Sequence, residues 1–217
     1  MIAALFPAAA HAELVLSQLI VELQPGKQMR DDLEMWNNSP ERVYVALEPR
    51  EIVDPSLPTQ RERREPDPEK LGLLVSPGRA ILEPGGRRLV RLATLLPGSD
   101  REHVYRVTVK PVVGGIDASD TGLKILVGYD VLVLVRPERP VAGVTATRNG
   151  RKLTFTNNGN VSVELMSGKQ CDGSRGRCTD LPGKRLYAGG SWTVELGSEG
   201  PAEYVLRSPG KMDRRIF

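Results

Sequence analysis

The chain has 217 residues, 30 lysines and arginines against 27 aspartates and glutamates, and a formal net charge of +3. That balance excludes a nucleic-acid binder with a dedicated basic face. Its 17 prolines and 22 glycines lie at short spacing with few helical periods, which predicts short strands joined by turns, as in β-sandwiches.

The chain opens with Met1-Ile-Ala-Ala-Leu-Phe-Pro-Ala-Ala-Ala-His-Ala12, an apolar stretch followed by a small-x-small cleavage signature before Glu13. Residues 1–12 are expected to be the back of a secretory signal; an apolar N-terminal strand is the alternative, disfavoured by Pro7 and the alanines. No other apolar run approaches the roughly 20 residues that span a bilayer, so no stable membrane insertion is expected. Candidate strands follow at 14–23, 30–36, 43–47, 73–75, 80–82, 87–92, 103–110 and 123–135. Turn signals separate them at Pro25-Gly26, Asn37-Asn38-Ser39-Pro40, Pro77-Gly78, Pro84-Gly85-Gly86 and Gly114-Gly115. Arg61-Glu-Arg-Arg-Glu65, inside a proline-rich stretch, reads as a solvated loop. The whole run, residues 13–137, suits one immunoglobulin-like sandwich.

Its last strand obeys two burial rules. Leu123, Ile125, Val127 and Tyr129 put apolar groups on one face, while Lys124, Gly128 and Asp130 occupy the other. Val131 to Val135 is then apolar on both faces. A strand buried on both sides at its end and on one side at its start is expected to leave its own core along an edge, carrying an apolar ridge into solvent. Such an edge is an aggregation hazard or a tool for adding a strand to another protein. The competing reading makes the ridge ordinary core of this chain's own sandwich.

Residues 138–141 form a stiff proline-containing linker, and 142–217 a second, smaller β-unit. Within it Cys171 and Cys178 close a ring of turn formers, Cys-Asp-Gly-Ser-Arg-Gly-Arg-Cys. A zinc site would need two more ligands, and the two histidines are His11, in the leader, and His103, so a disulfide is the expected pairing and no metal is expected. Loop-closure entropy assigns such a ring about 2.5 kcal/mol, which matters most to a small core.

Taken together, these features resemble the periplasmic pilus-assembly chaperones of the chaperone-usher pathway. The matching segments are Leu74-Val-Ser-Pro-Gly-Arg-Ala-Ile-Leu-Glu-Pro-Gly-Gly-Arg-Arg-Leu-Val-Arg-Leu92, Arg101-Glu-His-Val-Tyr-Arg-Val107 and Val131 to Pro137. In the second unit, Leu153-Thr-Phe-Thr-Asn-Asn-Gly-Asn160, the two cysteines and Lys184-Arg-Leu-Tyr-Ala-Gly-Gly-Ser-Trp192 are most similar to the alternate branch serving class 5, CFA/I-type, fimbriae. The resemblance implies two immunoglobulin-like β-sandwiches arranged as an L. It also implies a periplasmic location and partners that are pilin subunits and an outer-membrane usher. The implied mechanism is donor-strand complementation, in which the chaperone lends an edge strand to an incomplete pilin. Leu123, Ile125, Val127 and Tyr129 then become the subunit-binding residues, and Glu102 and Arg136 a pair that fixes the angle between the domains. The alternative for that pair is two surface charges of little worth.

One departure from the resemblance carries a consequence. The better-studied branch holds the pilin's terminal carboxylate with an arginine and a lysine at positions that here are Ile20 and Leu132. Strand pairing and the ridge are therefore expected to hold the subunit, its carboxylate reaching solvent or another cation. Lys124 and Arg106 are candidates, against the alternative that both are ordinary solvated strand residues. No catalytic residues or cofactor are expected, because His103 alone supplies little from which to build a nucleophilic triad. The competing functional class is an exported structural or adhesive surface module.

Overall fold

The computed structural model describes residues 14–112, 127–171 and 178–217. Its first unit holds, in chain order, β1 (Leu14–Leu16), β2 (Ile20–Leu23), β3 (Arg30–Asn37), β4 (Val43–Val53), β5 (Arg61–Arg63), the one-turn helix α1 (Pro68–Leu71), β6 (Leu73–Ser76), β7 (Arg79–Leu82), β8 (Arg87–Thr94), β9 (His103–Val112) and β10 (Tyr129–Val135). A four-stranded sheet, β1-β3-β8-β6, faces a six-stranded sheet, β2-β10-β9-β4-β5 with β7 also on β4. The second unit comprises β11 (Val144–Asn149), β12 (Lys152–Asn157), β13 (Val163–Cys171), β14 (Cys178–Leu181), β15 (Lys184–Leu186), β16 (Ser191–Glu195), β17 (Ala202–Ser208) and β18 (Lys211–Ile216). Here β11-β12-β16 packs on β14-β13-β17-β18, with β15 on β13. The protein is all-β, two immunoglobulin-like sandwiches in series.

Alternation along the strands builds each core. In β3 the buried residues are Leu33, Met35 and Asn37, and in β8 Val90, Leu92 and Thr94, every second position as a pleated strand requires. The second core centres on Phe155, whose ring lies 5.8 Å from Trp192, 5.2 Å from Tyr204 and 5.0 Å from Phe217. β10 departs from alternation as the apolar run predicts. Val131, Val133 and Val135 enter the first core, while Leu132 and Leu134 join Val104, Ile52 and Tyr187 in a separate cluster on the outer face of the six-stranded sheet.

Three elements differ from the sequence expectation. The single strand expected at 14–23 is two, because the chain changes sheets between them: β1 pairs antiparallel with β3, and β2 pairs parallel with β10. Residues 61–65 are not simply a solvated loop. Arg61–Arg63 forms an edge strand on β4, held by cross-strand charge pairs in which Arg63 donates to Glu51 at 2.8 Å and Arg50 to Glu62 at 3.0 Å. The described part of the strand expected at 123–135 begins at Tyr129; Val127 and Gly128 precede it without strand pairing, and Leu123, Lys124 and Ile125 lie outside the described residues.

The two units repeat one buried device. Asn37 and Asn157 are both fully buried. Asn37 Nδ2 donates to the carbonyls of Glu41 and Leu82, and Asn157 Nδ2 to those of Val161 and Leu186. Their backbones close onto matching glycine pairs, Gly85-Gly86 and Gly189-Gly190, whose first members sit at φ +68° and +76°. That left-handed conformation explains why a glycine precedes both β8 and β16.

Candidate functional site: an open strand edge beside the domain junction

β10 is paired along its full length on one side only. Antiparallel β9 accompanies it from Tyr129 to Val135, whereas β2 reaches only Leu132 to Val135 on the other side. The Leu132 amide donates to Leu19 O at 2.9 Å and the Arg136 amide to Leu23 O at 2.7 Å, so β2 closes the lower half of this edge. Tyr129, Asp130 and Val131 have no partner strand opposite β9 among the described residues. Unpaired backbone donors and acceptors in this position are a template for an added strand.

Of the expected ridge residues, Val127 is 64% exposed immediately before this open edge. Tyr129 packs against the first core instead, and its hydroxyl donates to Leu14 O at 2.6 Å. It ties β10 to β1, a strand of the other sheet. Leu123 and Ile125 lie outside the described residues.

Ile20 and Leu132 are direct partners in the β2–β10 register, and Leu132 is in turn paired with Arg106, which is paired with Arg50. These four side chains form a row across the outer face of the six-stranded sheet. Ile20 is 37% exposed and Leu132 5%. Arg50 is engaged on all sides, with both Asp130 oxygens at 3.1 and 3.2 Å, Glu62 at 3.0 Å and Thr108 at 2.7 Å. Arg106 is looser, 3.4 Å from Asp130 O and 3.9 Å from its carboxylate.

Glu102 and Arg136 form an ion pair whose side chains are only 3% and 5% exposed. The pair stands where the two units meet, and the second unit completes it. The Ser162 amide donates to Glu102 Oε1 at 3.2 Å, and Arg136 donates to Ser162 Oγ at 3.3 Å. Arg136 also reaches Glu22 at 2.8 Å. The Glu102 amide bonds to Asn160 O, and Asn160 Nδ2 donates to the carbonyls of Asp100 and Arg139. Beyond Ser162 the charges continue to alternate, through Arg185 at 3.4 Å to Glu164 and on to Arg207. Sequence reasoning singled out two members of this chain of contacts. The others, Glu22, Ser162, Asn160, Arg185 and Glu164, look like ordinary polar residues until the fold assembles them.

His103 is committed to structure. Its Nδ1 lies 2.9 Å from Glu51 and its Nε2 3.2 Å from Ser99. Burial opposes ionisation of Glu51, but hydrogen bonds from His103 and Arg63 outweigh it and hold the carboxyl below the ordinary glutamate range. The same Arg63 donates to Lys70 O and Leu71 O, anchoring α1. Among the described residues there is no group of three histidine, cysteine or acidic side chains able to hold a metal ion, and no helix long and apolar enough to cross a membrane.

Cys171 and Cys178 are directly opposed in the β13–β14 register and form a disulfide. Replacing both by serine is expected to lower unfolding stability by about 2.5 kcal/mol through the unfolded chain's regained freedom. The loss is checked by urea denaturation of the double variant against wild type, with β13–β17 the first region to lose hydrogen-exchange protection.

No family model matches the chain. A CS1 fimbrial protein of Escherichia coli, named as a fimbrial subunit, is 24% identical over 229 residues, covering 98% of this chain and 94% of that one. Among solved structures, the class 5 fimbriae chaperone CfaA superposes with a TM-score of 0.68 at 22% identity, covering 94% of this chain and 98% of CfaA. A chain of the Salmonella enterica complex between the SafA pilin and the SafB chaperone gives a TM-score of 0.69 at 17% identity over 97% of this chain and 99% of that one. The fold is that of a fimbrial chaperone. Both sandwiches of the chaperone fold are present here, and its coverage is nearly complete, so the open edge of β10 and the Glu102–Arg136 junction sit within one recurrent two-sandwich framework.

Proposed function

We propose that this protein is a periplasmic chaperone that binds fimbrial subunits by lending them a strand, and that it delivers them to an outer-membrane usher. The observation that carries the reading is the half-closed edge of β10: β2 stops at Leu132, and the backbone of Tyr129 to Val131 lies open directly after the exposed Val127. Leu123, Ile125 and Val127 are the ridge that enters the subunit. Tyr129 holds the root of that strand against the chaperone's own core. Glu102 and Arg136 set the angle at which the second sandwich stands beside the bound subunit. The likeness to CfaA, solved as a class 5 fimbriae chaperone, and to the SafA–SafB complex supports this assignment. The reading needs no catalytic group.

A second reading, a structural or adhesive surface module, draws on the name of the CS1 relative, which calls that protein a fimbrial subunit. Co-expression in a bacterial periplasm with a fimbrial subunit separates the two. The expected result is a soluble one-to-one complex in the periplasmic extract, with neither protein of the pair incorporated into fibres while no usher is present. Recovery of this chain within surface fibres, with no soluble complex, would overturn the chaperone reading.

A further inference from the structure

We propose that Asn160 is a positioning residue: it anchors the linker and so holds the second sandwich at a set angle to the first. The consequence for subunit binding rests on the strand-lending function; the anchoring itself does not.

Asn160 lies between β12 and β13, and every polar group it has is engaged. Its Nδ2 donates to Asp100 O at 2.8 Å and to Arg139 O at 3.0 Å, and its Oδ1 accepts from the Val141 amide at 2.7 Å. Its own amide donates to Val141 O at 2.9 Å, and its carbonyl accepts from the Glu102 amide at 3.0 Å. One side chain therefore touches the loop between β8 and β9 and two points on the linker. Both Nδ2 partners are carbonyl oxygens and the Oδ1 partner is an N–H, a pattern that a carboxylate of the same shape cannot satisfy.

The linker has no slack. The Glu138 amide donates to Ser99 O at 3.2 Å, which ties residue 138 to the first sandwich, and the next residue, Arg139, is tied by its carbonyl to Asn160 of the second. Pro137 and Pro140 fix φ on either side, and a residue before proline has a restricted backbone of its own. From Val141 to Gly143 the chain then runs flush against 158–160. Asn158 N donates to Gly143 O at 2.6 Å, and a Cβ on Gly143 would stand 2.9 Å from Gly159 N. The stretch that reads in sequence as a stiff linker is thus bound to the second sandwich from Arg139 onward. A pivot between the sandwiches requires contacts of Asn160 to open.

The junction then has two ties of different chemistry. The Glu102–Arg136 pair supplies the charged one and Asn160 the neutral one, and Glu102 belongs to both, through its carboxylate and through its backbone amide. A subunit seated on the edge of β10 meets a second sandwich whose angle is already set, which spares binding the cost of ordering it.

The test compares the full chain with three full-length variants, Asn160→Asp, Asn160→Ala and Asn158→Asp. The first keeps the side-chain shape and removes both donors, and the second removes them without adding charge. The third makes the same charge change at a side chain that bonds to Thr145 inside the second sandwich. Residual dipolar couplings of backbone amides report the orientation of each sandwich in one weakly aligning medium. Wild type and Asn158→Asp are expected to show one alignment common to both sandwiches. Both Asn160 variants are expected to lose that common alignment, with hydrogen-exchange protection unchanged inside each sandwich. Their affinity for a co-expressed fimbrial subunit is expected to fall about tenfold, the scale of one or two lost hydrogen bonds returned as an ordering cost. A common alignment that survives in both Asn160 variants, or protection lost within the second sandwich itself, would overturn the inference. Failure of the wild type to hold the subunit would overturn strand lending and leave the orientation result standing.

Discussion

Ile125→Asp is expected to leave the chain folded and to abolish recovery of its subunit. If residue 125 enters an apolar groove of the partner, the substitution places a carboxylate where neither water nor a cation reaches it. The cost is several kcal/mol, equivalent to a loss of about a thousandfold in affinity. The competing role of this residue, ordinary core of the first sandwich, predicts the opposite signature. Burying an aspartate in the chain's own core would lower thermal stability by a similar amount before any partner is added. Unfolding of the isolated variant and co-purification of the subunit therefore decide the question together. Wild-type stability with no recovered subunit supports the ridge, and full recovery of the subunit rules it out.

Arg136→Ala is expected to cost stability on the scale of a core truncation. Its guanidinium holds Glu102 and Glu22 and donates to Ser162, at a site where both members of the Arg136–Glu102 pair are almost without solvent. Removing the cation leaves Glu102 buried with the Ser162 amide as the one remaining donor to its carboxylate among the described residues, which costs about 3–5 kcal/mol. The double change Arg136→Met with Glu102→Leu removes both charges at once and is expected to restore most of that stability, because the penalty belongs to the unpaired ion rather than to the absence of the pair. The two variants separate in a second readout. Arg136→Ala releases the Ser162 hydroxyl and the double change releases the Ser162 amide as well, so small-angle scattering should show a broader distribution of overall dimensions, most of all for the double change, although only Arg136→Ala unfolds early in denaturant. Single-variant stability within about 1 kcal/mol of wild type would place the pair among ordinary surface charges.

Much of this architecture was legible in residue order. Strands β3, β8 and β9 were placed on the chain from residue order, because a pleated strand facing a core leaves a period of two that needs no knowledge of its neighbours. The doubly apolar stretch from Val131 to Val135 correctly marked a strand buried on both faces, and two cysteines in one short turn-rich ring marked the disulfide. A further signal was present in the sequence: Asn37-Asn38 before Gly85-Gly86, and Asn157-Asn158 before Gly189-Gly190, spell out the device that both sandwiches share.

What residue order could not reveal depends on contacts between distant segments. The break between β1 and β2 has no turn signal, because it arises from β2 crossing to pair with a strand more than a hundred residues later in the chain. β5 is made a strand by Glu51 and Arg50 on β4, not by its own highly charged residues, whose local preference is for solvent. The same holds for the site. Leu132 is an apolar residue like its neighbours until β2 ends beside it, and Glu102 is one acid among many until Arg136 and the Ser162 amide enclose it. Local pattern sets which face of a strand is apolar, since that follows from the pleat; which edge stays open and which charges lose their water are set by where other strands stop, and that is a property of the assembled sheets.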